Sequence, residues 1–229
     1  MRVEYTDLGI MNYKEAWQKQ GLLMEKLKQE KSESKEGLNH LLFVEHPHVY
    51  TLGRNGNQAN MLMNTIQLAE KNADFIKVDR GGDITYHGPG QLVVYPVFCL
   101  TDFRIGVKEY VRRLEEVVIN VIAEYGLQGE RMEKATGVWI DAGTSGARKI
   151  CAIGVKCSQF VTMHGFALNV NTDLNYFNYI NPCGFVDRGV TSIERETGKK
   201  ANIDEVKHFV LQYFKDIFAI EYANYLFEY

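Results

Sequence analysis

Two amphipathic helices restrict the fold of this chain more than any other feature of its sequence. Apolar residues recur at three- and four-residue spacing over 106–125, and Gly126 is placed to end that helix. The same periodicity predicts a second helix over 203–218, with Asn202 as its N-cap. A helix with one apolar face needs a surface to pack on, so the rest of the chain has to supply that surface.

The β-rich segments of the chain can form the surface on which these two helices pack. Strands are predicted over 38–45, 75–78, 91–97, 137–140, 149–156 and 160–170, with 143–146 as a hairpin connection. A further helix is predicted over 12–31, with Asn12 as its N-cap, followed by a polar connection over 31–37. Because these elements show no regular βαβ alternation, we expect an α+β fold, a mixed sheet with packed helices. The length of 229 residues suits one domain over 1–229.

Charge and apolar content exclude several classes of protein. Lys and Arg number 26 and Asp and Glu 29, a net charge of −3, which gives no global basic field for nucleic acid or for a membrane surface. No apolar run approaches the roughly 20 residues of a membrane span. His46 and His48 lack a nearby cysteine or carboxylate pair, so we expect no metal and no cofactor. The four cysteines form no C-x-x-C pair and follow no secretory signal, which predicts a reduced, cytoplasmic protein.

Four glycines fall within residues 80–90, where even spacing along the chain would place about one. Glycine permits positive φ and the close approach of a ligand, and His87 adds a ring nitrogen able to act as acid or base. The segment is therefore either a tight turn between two strands or part of a binding site. No GxxxxGK[ST] sequence and no GxGxxG at a strand-to-helix junction occurs, so phosphate chemistry has no support.

One of the cysteines lies in a context typical of a reactive thiol. Cys183 belongs to the turn-forming run 181–184, which can expose its side chain beside backbone N–H groups. The other three lie in or beside apolar strands and are predicted as buried core: Cys99, Cys151 and Cys157. A nucleophilic thiol needs a nearby cation or base, for which His87, His164 and the lysines of the β-rich region are candidates. His164 suits a buried core histidine and a site wall equally well.

Six segments, taken in order along the chain, resemble the signatures of one family. They are 45–54 (EHPHVYTLGR), 80–96 (RGGDITYHGPGQLVVYP), 137–139 (GVW), 148–154 (RKICAIG), 163–169 (MHGFALN) and 182–184 (PCG). Together they span roughly residues 10–195 and are similar to the lipoyl(octanoyl) transferases, which are octanoyl-[acyl-carrier-protein]-protein N-octanoyltransferases.

The resemblance implies a fold shared with the catalytic modules of biotin and lipoate ligases, and an acyl transfer in two steps. Cys183 takes the octanoyl group from octanoyl-acyl carrier protein as a thioester. A lysine of a lipoyl domain of 2-oxoacid dehydrogenases, or of the glycine-cleavage H protein, then receives it as an amide. Lys149 matches the lysine that lowers the pKa of the cysteine. The residues that match the acyl pocket are Arg80, Gly81, Gly82, Asp83, Ile84, Thr85, Tyr86, His87, Ala152, Ile153, Gly154, His164, Gly165, Phe166 and Ala167.

The chain departs from the family pattern at two positions. Cys151 stands where a small apolar residue is usual, two residues from Lys149 and so on the same side of a regular strand, which predicts a second thiol near the site. Asp83 adds a carboxylate within the glycine-rich segment. The basic residues that flank the site segments predict a local positive rim for an acidic carrier protein: Arg54, Lys77, Arg80, Arg148, Lys149 and Lys156.

Three other functions remain open at the level of sequence. An ATP-dependent lipoate or biotin ligase would activate a free acid as an adenylate and would need no catalytic thiol. A non-catalytic acyl- or lipoyl-domain-binding module would keep the pocket without turnover. An amidotransferase would move octanoyl between two lipoylated proteins.

Overall fold

The fold is taken from a computed structural model, which describes residues 1–181 and 189–225. The helices are α1 (Tyr13–Ser32), α2 (Thr65–Glu70), α3 (Val107–Ala123), α4 (Ile193–Thr197) and α5 (Ile203–Phe218). The strands are β1 (Arg2–Ile10), β2 (Asn39–Glu45), β3 (Val49–Leu52), β4 (Asp74–Lys77), β5 (Ile84–His87), β6 (Gln91–Val97), β7 (Glu130–Arg131), β8 (Val138–Ile140), β9 (Arg148–Ser158), β10 (Val161–Asn169), β11 (Gly189–Val190) and β12 (Glu221–Tyr222). Two 3₁₀ turns cover Gln58–Asn60 and Leu174–Tyr179.

The described strands form two sheets. The larger has the order β12-β1-β2-β6-β10-β9-β8-β7, with β11 paired to β9 outside this path. Strand β1 runs parallel to β2 and β12, and β11 runs parallel to β9, whereas the central pairs from β2 to β9 are antiparallel. The smaller sheet has the order β4-β3-β5. The expected mixed sheet with packed helices is therefore confirmed.

Helices α3 and α5 cover one face of the larger sheet. Leu114 and Val118 of α3 and Phe214 of α5 pack against Phe166 and Leu168 of β10 in the main hydrophobic core. At about 25 cal/mol per Å² of apolar area removed from water, each of these side chains contributes up to about 1.5–3 kcal/mol. Because this packing requires apolar residues at regular helical spacing, the sequence predicts both helices.

Helix α1 and the smaller sheet lie on the opposite face. Ala16 of α1 packs with Leu42, Val93, Tyr95 and Ala167, which come from β2, β6 and β10. Along β10, residues of this face alternate with residues of the α3–α5 face, as a pleated strand requires. No helix among the described residues is long and apolar enough to cross a membrane.

The predicted element boundaries agree closely with the structure at the strongly patterned segments. Helix α5 spans the predicted range, and the Asn202 side chain accepts a hydrogen bond from the Asp204 N–H. Gly126 follows α3 with φ +73, the left-handed conformation in which glycine carries no strain. Asn12 occupies the predicted N-cap position of α1, but its side chain makes no capping hydrogen bond. The run 143–146 does connect the antiparallel strands β8 and β9.

Candidate active site

A cavity of about 420 Å³ lies between the smaller sheet and the α1 face of the larger one. Its lining comes from segments far apart in sequence: Tyr13, Arg80, Gly82, Asp83, Ile84, Thr85, His87, Gln91, Val93, Tyr95, Lys134, Ala135, Thr136, Trp139, Lys149, Ala152, Ile153, Gly154, His164, Gly165, Phe166, Ala167, Asn169, Phe177, Gly189 and Val190. Of the predicted pocket residues, Gly81 and Tyr86 lie outside this lining. A cavity of this size and mixed polarity is typical of a small-ligand site.

Small residues on β9 and β10 form the floor of the cavity. Ala152 lies opposite Ala167, and Gly154 lies opposite Gly165. A Cβ atom on Gly154 would approach the Gly81 carbonyl oxygen to 2.8 Å, and one on Gly165 would collide with the Val94 carbonyl oxygen. The absence of side chains at these two positions therefore creates space in the cavity and allows the neighbouring backbone to pack closely.

The glycine-rich segment forms the roof, so it is part of the site rather than a simple surface turn. The Gly81 N–H donates to the Val155 carbonyl on β9 at 2.9 Å, which joins the roof to the floor. Residues Ile84–His87 continue as β5, paired with β3. Tyr86 points away from the cavity and stacks on Tyr176 with ring centroids 5.0 Å apart.

Arg80 is a buried cross-link within the roof. Its Nη2 donates to the carbonyl oxygen of Thr51 at 2.7 Å and to the Thr51 hydroxyl at 2.9 Å, and its Nη1 donates to the Gly81 carbonyl at 3.0 Å. Its exposed fraction is 7%. The guanidinium thus binds its own chain, and it does not contribute to the predicted positive rim.

Buried hydrogen bonds link Arg80 to the strand beside Lys149. The Thr51 hydroxyl lies 3.4 Å from His87 Nε2, and His87 Nδ1 donates to the Gln91 side-chain carbonyl at 2.8 Å. Gln91 donates to Asn169 at 2.9 Å, and Asn169 donates to the Thr191 carbonyl at 2.9 Å. Burial holds the pKa of His87 well below its ordinary value, so the ring is neutral with its proton on Nδ1.

The cavity end far from Lys149 is formed by aromatic and imidazole rings. The Tyr13 hydroxyl lies 3.4 Å from His164 Nδ1, and His164 Nε2 donates to Asp79 at 3.0 Å. His164 has φ +61, a conformation that L-residues rarely adopt in a strand. This backbone conformation lets the imidazole contact Tyr13 and Asp79, although alternation along β10 would place it on the α3–α5 face. His164 is therefore both a buried, hydrogen-bonded histidine and part of the cavity lining.

Lys149 lies at the other end of the floor. Its Nζ donates to the Thr136 carbonyl at 3.0 Å and lies 4.7 Å from the centroid of the Trp139 ring. Gly137 makes room for this side chain, because a Cβ there would lie 3.3 Å from Lys149 Cε and 2.5 Å from the Cys151 carbonyl. The backbone of Lys149 also accepts the Thr191 N–H at 2.9 Å.

The prediction that Cys151 shares the cavity side of Lys149 is wrong. Val138 of β8 pairs with Cys151, but the next residue, Trp139, pairs with Lys149, so Ile150 is an additional residue in a β-bulge. The bulge breaks the alternation, and Cys151 is fully buried in the core beneath α3, where burial raises the pKa of its thiol. Cys99 is also buried, and Cys157 is half-buried.

Cys183 lies outside the described residues, in the segment 182–188. The residues on both sides of that segment are held at the site. The Asn181 N–H donates to the Asn60 carbonyl at 2.9 Å, and Asn60 in turn donates to the Asp83 carboxylate at 2.6 Å. Gly189 lines the cavity and pairs with β9 next to Lys149. Asp83 therefore lines the cavity, and its carboxylate binds Asn60, which in turn binds the backbone of Asn181.

Two of the six residues of the predicted positive rim form ion pairs, and Arg54 and Lys77 are exposed. Arg148 forms ion pairs with Glu196 and Asp141, and Lys156 pairs with Asp79. Within the described lining, the lysines are Lys134 and Lys149. Across 1–181 and 189–225, no group of three or more His, Cys, Asp or Glu side chains is arranged to hold a metal ion.

Several lining residues were not singled out in the sequence. Gln91 and Tyr95 lie within the 80–96 signature, but their faces become defined only when β6 pairs with β10. Tyr13 and Thr136 carry no local signal, and Asn169 lies within the 163–169 signature without having been assigned to the pocket. They meet at the cavity because α1, the loop before β8 and the end of β10 are brought together by the fold.

Comparison with known proteins identifies the family. Residues 12–215 match the model of the lipoyl protein ligase A/B catalytic domain. An octanoyltransferase of Bacteroides thetaiotaomicron is 54% identical over 90% of this chain and 91% of its own length. One from Christiangramia forsetii is 50% identical over 96% of this chain and 97% of its own length.

Solved structures share the fold at low sequence identity. A lipoate-protein ligase A bound with ATP matches all of this chain and 90% of its own chain with a TM-score of 0.72 at 17% identity. A bi-partite lipoate protein ligase from Thermoplasma acidophilum, studied with its E2 lipoyl domain, matches all of this chain and 88% of its own chain with a TM-score of 0.70 at 17% identity. A biotin protein ligase from Aquifex aeolicus matches 96% of this chain and 70% of its own chain with a TM-score of 0.51 at 14% identity.

The family model, the relatives of about half identity and the shared fold agree with the motifs and with the cavity. The chain belongs to the lipoyl protein ligase A/B catalytic domain family and is an acyltransferase.

Proposed function

We propose that the protein transfers an octanoyl group from octanoyl-acyl carrier protein, through a thioester on Cys183, to a lysine of a lipoyl domain. The acceptors would be lipoyl domains of 2-oxoacid dehydrogenases and the glycine-cleavage H protein. Octanoyltransferases at about half identity over most of the chain support the acyl group. The observation that carries the proposal is the cavity, which has a floor of alanine and glycine and the Lys149 amine at one end. A thiol nucleophile must stay reduced, so we also propose a cytoplasmic location.

In the first step, the Cys183 thiolate attacks the thioester carbonyl. A new C–S bond forms to Cys183, the C–S bond to the carrier breaks, and the carrier thiolate takes up a proton. The Lys149 ammonium favours the thiolate by its charge and can exchange the proton. In the second step, the neutral amine of the acceptor lysine attacks the acyl-enzyme. A C–N bond forms, the C–S bond to Cys183 breaks, and the proton lost by the amine replaces the one that the carrier thiolate took up in the first step.

The floor of the cavity suits an extended alkyl chain. Buried methylene groups contribute about 0.8 kcal/mol each, so the six methylenes of an octanoyl group would supply up to about 5 kcal/mol before ordering costs. Ala152, Gly154, Gly165 and Ala167 leave space along one line of the sheet for such a chain.

Intact mass spectrometry tests the covalent step. After incubation with octanoyl-carrier protein, we expect one octanoyl adduct on the wild type and on the control Cys157→Ser, whose thiol is half-buried and does not line the cavity. We expect no adduct on Cys183→Ser. Lys149→Met should form the adduct at least about tenfold more slowly, because the thiolate fraction falls. A Cys183→Ser enzyme that still modifies a lipoyl domain at the wild-type rate would refute the mechanism.

An ATP-dependent ligase is the second candidate, because lipoate-protein ligases share the fold. Such an enzyme would modify a lipoyl domain with free octanoate and ATP, and Cys183 would be dispensable. Offering octanoyl-carrier protein, octanoate with ATP, or an octanoylated lipoyl domain in parallel separates transferase, ligase and amidotransferase.

A further inference from the structure

The end of the cavity opposite Lys149 is closed by a hydrogen-bonded group of rings, which we call the end wall: Tyr13, Tyr95 and His164. Each of the three lines the cavity. His164 lies opposite Val155 on β9, six residues beyond Lys149. At about 3.3 Å per residue, the wall and the backbone of Lys149 are separated by at most about 20 Å along the strand.

Hydrogen bonds to residues outside the cavity lining hold the rings of the end wall in place. The Tyr95 hydroxyl donates to His46 Nε2 at 2.8 Å, and His46 Nδ1 donates to the Met11 carbonyl at 2.7 Å. His164 Nε2 donates to Asp79, whose other oxygen binds Lys156. Moving any of these rings would leave a buried donor or acceptor without its partner, which is costly.

Tyr13 is the central ring of this wall. It stacks on His87 with centroids 5.7 Å apart and touches His46 at 5.1 Å and Trp17 at 6.4 Å. Its exposed fraction is 4%. With rings on three sides and a hydroxyl near His164, Tyr13 has no second position to move into without breaking this packing.

The wall presents an uncharged surface to the cavity. Burial raises the pKa of Tyr13 to about 12 and lowers the pKa of His46 to about 4. Burial also lowers the pKa of His164. Neutral hydroxyl and imidazole groups already bound to one another tolerate contact with a methyl group better than ions would.

We propose that the end wall limits the length of the acyl chain and that Tyr13 is the residue that sets this limit. The inference rests on the proposed acyl transfer. An eight-carbon chain spans about 9 Å with C–C bonds near 1.5 Å. This length fits within the strand distance of at most about 20 Å between Lys149 and the end wall. Ala152 and Gly154 lie beneath such a chain, and a chain several carbons longer meets Tyr13.

Shortening Tyr13 tests the limit directly. Binding of octanoate, decanoate and dodecanoate is measured by calorimetry, and initial rates are measured with the corresponding acyl-carrier proteins. We expect Tyr13→Leu to raise the affinity for dodecanoate relative to octanoate by about tenfold or more, since each additional buried methylene is worth about fourfold. Tyr13→Phe keeps the ring and should keep the wild-type order.

Tyr110→Leu is the matched control. Tyr110 is a fully buried tyrosine on the α3–α5 face of the sheet, so its loss should lower stability without changing the order of the acids. If Tyr13→Leu does not fold, Tyr13→Met replaces it, because a flexible side chain of similar size can yield to a longer acyl chain.

Binding of the free acids tests the end wall, and initial rates with the acyl-carrier proteins test the proposed acyl transfer, so the two proposals can fail separately. Acid binding that shifts toward longer chains in Tyr13→Leu supports the end wall even if no carrier protein serves as donor, in which case the proposed transfer alone fails. Wild-type protein that binds dodecanoate as tightly as octanoate, or binds neither, overturns the end wall. So does an unchanged order in a folded Tyr13→Leu variant.

Discussion

At the scale of single residues, the site depends on polar side chains that are buried in the neutral state. His46 is 1% exposed and hydrogen-bonded through both ring nitrogens, and His164 is equally buried between Tyr13 and Asp79. Neutral imidazoles with a defined tautomer act as fixed donors and acceptors, so they hold the cavity walls in place without adding a charge there. The Asp79 carboxylate is stabilised by His164 and Lys156, which hold its pKa below the usual range.

These histidines predict loss of stability in mild acid. The pKa of His46 falls from 6.5 in the unfolded chain to about 4 in the fold, so the unfolded state binds its proton first. The contribution of neutral His46 to the free energy of unfolding is therefore fully present above pH 6.5 and is lost as the pH falls toward 4. His46 alone lowers that free energy by on the order of 3 kcal/mol over this range. Urea unfolding at a series of pH values measures this slope.

The control for this prediction is His46→Gln. This variant is expected to be less stable at neutral pH, because it loses well-placed hydrogen bonds, but its stability should fall less steeply between pH 6.5 and 4. An equally steep fall in the variant would show that other groups cause the acid sensitivity.

At the scale of secondary structure, the site depends on where β9 is irregular and where it lacks side chains. The bulge at Ile150 directs Lys149 to the cavity and Cys151 to the core. Farther along the strand, Gly154 lets the roof segment approach the sheet until the Gly81 N–H bonds to Val155. One strand therefore positions Lys149 at one end of the cavity and supplies the glycine that lets the roof approach the floor.

Gly154→Ala should separate the roof from the floor. The new Cβ would lie 2.8 Å from the Gly81 carbonyl oxygen and 3.1 Å from Arg80 Cδ, and the first of these atoms is backbone that cannot rotate away. We expect a loss of about 1–3 kcal/mol in unfolding free energy and weaker octanoate binding. Gly146→Ala is the matched control, since its Cβ would meet the Thr144 hydroxyl oxygen at an ordinary 3.6 Å. Equal unfolding midpoints for the two variants in urea would contradict the close-contact argument.

At the scale of the whole molecule, part of the basic charge near the site is already paired with carboxylates. The net charge is −3, and Arg148 and Lys156 bind carboxylates of this chain. Lys134 is an exposed lysine in the cavity lining. In the proposed transfer, this lysine would attract the acidic carrier protein.

Lys134→Glu should raise the KM for the carrier protein about threefold at low salt, because an exposed ion pair contributes roughly 0.2–1 kcal/mol. The effect should shrink as salt is added, since screening weakens attraction between exposed charges. Lys108→Glu is the control, because Lys108 is an exposed lysine of α3, on the far face of the sheet. A carrier KM that does not change with salt in the wild type would remove electrostatic docking from the mechanism.

The elements that the sequence predicts correctly are those with a regular local pattern of apolar residues. Helix α5 and strand β6 have their predicted bounds, because their apolar residues follow one period throughout and end at clear stop signals. Strands β1 and β3 were not predicted. Strand β1 carries Glu4, Thr6 and Asp7 among its apolar residues, and β3 is a four-residue strand that follows the His-Pro-His break.

The sequence by itself determined the class of fold and, through six short signatures, the family, and it singled out the glycine-rich segment and Lys149 as candidates, because each of these signals lies in residues close together in the chain. Only the tertiary structure decided that Cys151 faces the core, that Arg80 is a buried cross-link and that Tyr13 and His164 close the cavity. A bulge changes the side-chain alternation of a strand, and a left-handed residue redirects its own side chain. Pairing between strands, and the packing of α1 onto the sheet, determine which distant residues meet, and no local pattern contains that information.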